Sequence, residues 1–168
     1  MTGLRAAVSV HRRIAEIGRP AWDACADNPA YATNPFVAYD FLDALEESGC
    51  AVERTGWGPR HLALHDEHGG VAAVMPLYLK SHSQGEYIFD HAWADAYERA
   101  GGRYYPKLVG ASPFSPVTGP RLIARPDIDE AAGRGMLLDA ALTVCDRAGA
   151  RPSGASGATP RPRPTLSA

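Results

Sequence analysis

Apolar residues recur along this chain in two rhythms, every second position in some stretches and every third or fourth in others. That alternation is the signature of strands mixed with helices. Residues 6–10 predict a short strand, and a short helix carrying Trp22 follows Pro20. Asn34 has the chemistry of a helix N-cap, with Pro35 at the first helical position. Val37, Phe41, Leu42 and Leu45 then share one face, and Gly49 stops the helix. The opposite face carries Asp40, Asp43, Glu46 and Glu47, which reads as a solvated acidic surface.

Further along, 61–65 alternates as a strand, 66–70 is turn material and 71–79 predicts a longer strand, so the pair reads as an antiparallel hairpin. A third strand is expected at 86–89. Asp90 should cap a helix in which Trp93, Ala96, Tyr97 and Ala100 fall at helical spacing, ended by Gly101 and Gly102. A short strand at 122–124 precedes a helix over 135–148 with Leu137, Ala141, Val144 and Ala148 on one stripe. Strands and helices intermixed with a hairpin predict an α+β, mixed α/β fold. Past 149 the chain reads RPSGASGATPRPRPTLSA, with no apolar periodicity and much Pro, Gly, Ser and Arg. Such a segment cannot bury enough surface to offset its ordering entropy, so 1–150 is expected to be the folded domain and 151–168 a disordered tail.

Composition narrows the function classes. A chain of 168 residues with formal net charge −2 can bury one core and lacks the basic footprint of a nucleic-acid binder. No apolar run is long enough to span a bilayer and the start lacks a signal-peptide pattern, so a cytoplasmic protein is expected. The three cysteines, Cys25, Cys50 and Cys145, are odd in number and widely spaced. They are expected to be reduced and to pack as small apolar residues.

The densest chemistry lies in 76–121. Its segments KSHSQGEY at 80–87, FDH at 89–91, WADAYERAGGRYYPKL at 93–108 and PVTGPR at 116–121, with NPF at 34–36 and YDFL at 39–42, resemble the bacterial FemAB-like family. The resemblance runs over 34–149. That family is labelled peptidoglycan biosynthesis/recognition and is assigned to the acyl-CoA N-acyltransferase (GNAT) superfamily. It implies a GNAT-like N-acyltransferase domain, incomplete at its C-terminal end, taking an acyl-CoA or aminoacyl donor. An aminoacyl-tRNA would then be the one nucleic acid in play. The acceptor would be an amine of a cell-wall-related peptide or a small molecule. Family members carry an apolar strand after the helix that ends DRAGA; its replacement by the tail has the look of a shifted reading frame, with a genuine linker as the alternative. Lacking that strand, the domain is expected to leave an apolar groove and an unpaired strand edge, a route to self-association.

Three constellations are candidates for chemistry. Amine acylation needs a base for the ammonium proton and a donor to the leaving group. Asp90 and His91, with Tyr97, fit those catalytic roles; Tyr87, Trp93, Asp95, Arg103, Tyr104, Tyr105 and Lys107 supply aromatic and charged contacts to a carboxylate-bearing acceptor. The bland alternative makes Asp90 a helix cap and His91 a surface residue. The stretch from Glu130 through Gly133, Arg134 and Gly135 is similar to the superfamily's pyrophosphate loop, though Glu130 stands where an Arg or Gln is usual; a plain connection before a helix is the alternative. His61, His65 and His68 with Asp66 and Glu67 have metal-ligand chemistry, but a polar hairpin turn explains them better and no metal is expected. Two function classes stay open: an N-acyltransferase-type domain, or a recognition module or remnant that binds without turnover.

Overall fold

A computed structural model describes residues 2–31, 34–84, 86, 90–152 and 165–167. Two sheets form the frame. The first has the order β7-β4-β3-β1-β9, from β1 (Leu4–His11), β3 (His61–Asp66), β4 (Val71–Met75), β7 (Ile123–Ala124) and β9 (Thr165–Ser167). The second has the order β2-β5-β6-β8, from β2 (Trp57–Pro59), β5 (Tyr78–Lys80), β6 (Lys107–Val109) and β8 (Arg151–Pro152). Pairing within each sheet is antiparallel except at β1–β9 and β6–β8. The fold is α+β, as the mixed periodicities predict.

Strand alternation sends the first sheet's side chains to two helical layers. On one face Val8, Leu62, Leu64 and Ala73 pack against Leu137, Ala140, Ala141 and Val144 of α4 (Glu130–Arg147). On the other, Ala63, Val74 and Ile123 meet Trp22 and Cys25 of α1 (Arg19–Ala26) and Leu42 of α2 (Tyr39–Glu47). Trp22 is wholly buried, and its indole N–H donates to the Val37 carbonyl at 2.8 Å, which satisfies its one polar atom.

Several local expectations are corrected. The helix expected from Asn34 is broken: Asn34 does cap a 3-10 turn, Pro35–Val37, its side chain accepting from the Phe36 N–H, but Ala38 is extended and α2 begins at Tyr39. The face of acids is not all solvated either, because Glu46 is buried. The strand expected over 71–79 is two strands, since the chain leaves the first sheet after Met75 and enters the second at Tyr78; Pro76, lacking an N–H, cannot continue a ladder. Ala148 is exposed rather than on the inner stripe of α4, and Cys50 is exposed, while Cys25 and Cys145 are buried. The strand expected at 86–89 lies outside the described residues except for Glu86, which is in no regular element. Arg151–Pro152 pair with β6 and Thr165–Ser167 with β1, while 153–164 and 168 of the expected tail lie outside the described residues.

Candidate functional site

The second sheet carries the chemistry. Lys80 at the end of β5 and Lys107 at the start of β6 are register partners on adjacent strands, and both are buried. A buried ammonium is costly unless paired. Lys107 meets the cost with two carboxylates: its Nζ donates to Glu86 Oε2 at 2.9 Å and to Asp90 Oδ2. Lys80 has weaker company. Its Nζ donates to the Gln84 carbonyl at 2.8 Å, lies 4.0 Å from Glu86 Oε1 and sits 3.9 Å from the ring centroid of Trp57. The two amines therefore titrate apart. Burial pushes Lys80 down to about 8, whereas at Lys107 burial is outweighed by Asp90 and Glu86, which hold it above the ordinary lysine value.

Asp90 is the hub. It occupies the residue before α3 (His91–Arg99) but makes no side-chain cap there. Its carboxylate instead accepts from the Tyr104 hydroxyl at 2.8 Å, the Tyr105 hydroxyl at 2.6 Å and Lys107. Burial pushes the carboxyl up, but the bonds from Lys107, Tyr105 and Tyr104 together hold it below the usual range. Burial and the bond to Asp90 raise both tyrosines. So Asp90 is a poor proton acceptor at neutral pH, and the expectation of a cap is corrected along with it.

This network opens on a cavity of about 180 Å³ lined by Trp57, Glu86, Val109, Ser112, Phe114 and Pro116. Trp57 and Phe114 stand 5.3 Å apart between ring centroids. Phe114 holds a left-handed backbone, φ 62°, a conformation that costs a bulky residue energy and here presents its ring, 40% exposed, to the groove. Glu86 Oε1 and Trp57 Nε1 are buried with no hydrogen-bond partner among the described residues.

The remaining expected residues divide clearly. Tyr104, Tyr105, Lys107 and Asp90 come together as described. His91 is exposed, with Ser83 Oγ 3.1 Å from its Nδ1, and Tyr97 packs edge-on to Tyr104. Trp93, Asp95 and Arg103 are exposed, and Tyr87 lies outside the described residues. Trp57, Lys80, Glu86 and Phe114 were not singled out. Lys80 and Glu86 stood within the densest segment, but Trp57 and Phe114 join them only through the folding of the second sheet.

The glycine turn expected before the last helix is corrected. Gly133 and Gly135 lie inside α4, whose N-cap is Asp129, its side chain accepting from the Ala132 N–H at 3.1 Å. Gly133 is buried beside Ile128, Ala73 and Ala124, where even a Cβ would find ordinary van der Waals contacts, and Glu130 bonds Arg134 one turn on at 2.7 Å.

The three histidines of the hairpin disperse. His61 is wholly buried: its Nδ1 accepts the Leu77 N–H at 3.2 Å, so its Nε2 carries the proton toward Glu46 at 2.7 Å. Glu46 also accepts from the Ile14 N–H at 3.0 Å, closing a structural pair between α2 and β3. His65 faces Ser9 of β1, and His68 is exposed. A separate cavity of about 560 Å³ lies near Arg12, Arg13, Arg54 and Arg60, where Glu47 and Glu53 bond Arg13 and Arg60; none of the expected site residues lines it.

No described helix is long and apolar enough to cross a membrane. No curated protein and no solved structure matches the chain. The sequence pattern of the FemAB-like family, described as peptidoglycan biosynthesis/recognition, matches residues 13–158, which takes in the second sheet, the ionic groove and β3, β4 and β7 of the first sheet, and the chain belongs to that family.

Proposed function

We propose that this chain binds an amine-bearing, peptidoglycan-type acceptor in the groove between Trp57 and Phe114 and serves N-acyl transfer to that amine. The observation that carries the reading is Glu86, which has one oxygen fixed by Lys107 and the other buried at the groove wall, 4.0 Å from Lys80 Nζ and without a hydrogen-bond partner among the described residues. An ammonium entering there would find a carboxylate at one end and two aromatic faces at its sides, the surroundings a cation prefers in a desolvated cleft.

In this reading Glu86 takes the ammonium proton. The freed nitrogen attacks the acyl carbonyl of a thioester or ester donor, the C–N bond forms, and the donor's C–S or C–O bond breaks. Lys80, an ammonium at neutral pH with its pKa lowered to about 8, is the acid beside Glu86 that returns a proton to the leaving group. Asp90, tied to Lys107, Tyr104 and Tyr105, is a positioning residue that holds Lys107 against Glu86.

Calorimetry with a blocked lysine peptide carrying a free side-chain amine tests this. The amine form should bind at least roughly 10-fold tighter than its Nε-acetylated form, and Glu86→Gln should erase the difference, as loss of a charge-assisted hydrogen bond does. Equal binding of the two forms by the wild type would refute the groove's role. Titrating acetyl-CoA in the same cell separates transfer from binding alone, since a chain that takes the amine but neither acetyl-CoA nor an aminoacyl donor is a recognition module.

A further inference from the structure

On the first sheet, well apart in sequence from the groove residues, two imidazoles converge on one hydroxyl. Ser9 and His11 lie two apart on β1 and share a strand face, and His65 lies on the neighbouring β3. Ser9 Oγ is 2.7 Å from His11 Nε2 and 2.8 Å from His65 Nε2. All three residues are half-buried.

The outer nitrogens set the tautomers. His11 Nδ1 lies 3.5 Å from Glu16 Oε2 and His65 Nδ1 3.4 Å from the Gly69 carbonyl. Carboxylate and carbonyl oxygens only accept, so each Nδ1 carries the hydrogen and each Nε2 turns a lone pair inward. Ser9 has one hydroxyl hydrogen, for which the Ala63 carbonyl at 3.4 Å also competes, so it satisfies at most one of them. The second lone pair then faces oxygen at hydrogen-bond distance with no hydrogen between. A cation drawn between the two nitrogens, with Ser9 Oγ turned aside to stand next to it, satisfies both at once. Histidines whose outer N–H is held by a carboxylate or a backbone carbonyl, with the inner nitrogens converging, have the arrangement of metal ligands and their supporting shell.

We propose that His11 and His65 chelate a divalent transition cation of the zinc class through their Nε2 atoms, with Ser9 Oγ beside it and water completing the shell. Imidazole suits zinc, copper and nickel among the available cations. No group of three or more His, Cys, Asp or Glu side chains converges among the described residues, so this is a two-imidazole site, exchangeable rather than a closed structural one. The groups facing it are Glu16, which favours bound cation, and His61, a wholly buried ring on β3.

Calorimetric titration of the full chain with Zn²⁺ tests the site, in a Cys50→Ser background because Cys50 is an exposed free thiol. One saturable site per chain is expected, lost in His11→Gln and in His65→Gln, unchanged in His68→Gln, and weakened roughly 10-fold in Glu16→Gln as loss of an outer partner does. Binding should fade on acidification as the imidazoles protonate. If either variant fails to fold, ring-nitrogen NMR of the wild type decides: Zn²⁺ should shift Nε2 of both His11 and His65. No saturable binding, binding untouched in both variants, or an imidazolium at either ring at neutral pH without metal would overturn the proposal.

Discussion

Asp90→Asn probes the hub of the ionic network. The amide keeps the shape of the carboxylate but exchanges one accepting oxygen for an NH₂ donor. Three donors converge on Asp90, so at least one of Tyr104, Tyr105 and Lys107 is left facing another donor. Tyr104 and Lys107 share Oδ2, so an NH₂ in that place loses two hydrogen bonds to a charged group, worth about 1.5–3 kcal/mol each. Lys107 keeps Glu86 at 2.9 Å and the tyrosines are only half-buried, so the lower end applies. The expected cost is about 3 kcal/mol, a fall in Tm of roughly 6–12 °C for a chain of this size. The pH dependence has a definite sign. Because the folded carboxyl lies below 3.8, its unfolded value, its contribution is fully present above that value and is lost as pH falls through the folded one. Urea melts at pH 7 and near pH 3 should show a gap between wild type and variant that narrows in acid. A variant as stable as wild type at pH 7, or a gap that widens in acid, would refute the hub.

Glu46→Leu leaves the His61 Nε2–H and the Ile14 N–H buried without an acceptor and should cost about 2–6 kcal/mol in a chemical melt, against less than about 0.5 for Glu47→Ala on the same helix. Gly135→Ala, at an exposed position inside α4 with open space where a Cβ would go, should raise stability by about 0.5–1 kcal/mol, which a thermal melt reads directly. Lys80, lowered to about 8 from 10.5, makes the wild type gain stability as pH rises from about 8 to 10.5, because the unfolded chain holds a proton the folded one has released; in Lys80→Met that gain should vanish from melts across the same range.

Local order was legible in the sequence wherever a short-range rule decided it. The cap at Asn34, the turn at 66–70, the end of α3 at Gly101 and the apolar stripe of α4 each depend on neighbours within a few residues, so periodicity and capping chemistry find them. The FemAB-like pattern of 80–108 was visible for the same reason, as a run of side-chain types. What periodicity could not reach was the partner of a polar side chain across the fold. Asp90 looked like a cap because caps are read locally, yet three long-range donors outcompete the single N–H at the helix start. Glu46 looked solvated because its helix neighbours are acids, until β3 brought His61 against it. Gly133 and Gly135 looked like a turn because glycine is a poor helix former; packing on Ala73 and Ala124 and the cap at Asp129 carry the helix through them. Trp57 met Phe114, and Ser9 met His65, only when segments distant in sequence came together. A side chain's partner depends on distance in space, and that is decided by the burial of the whole apolar surface at once.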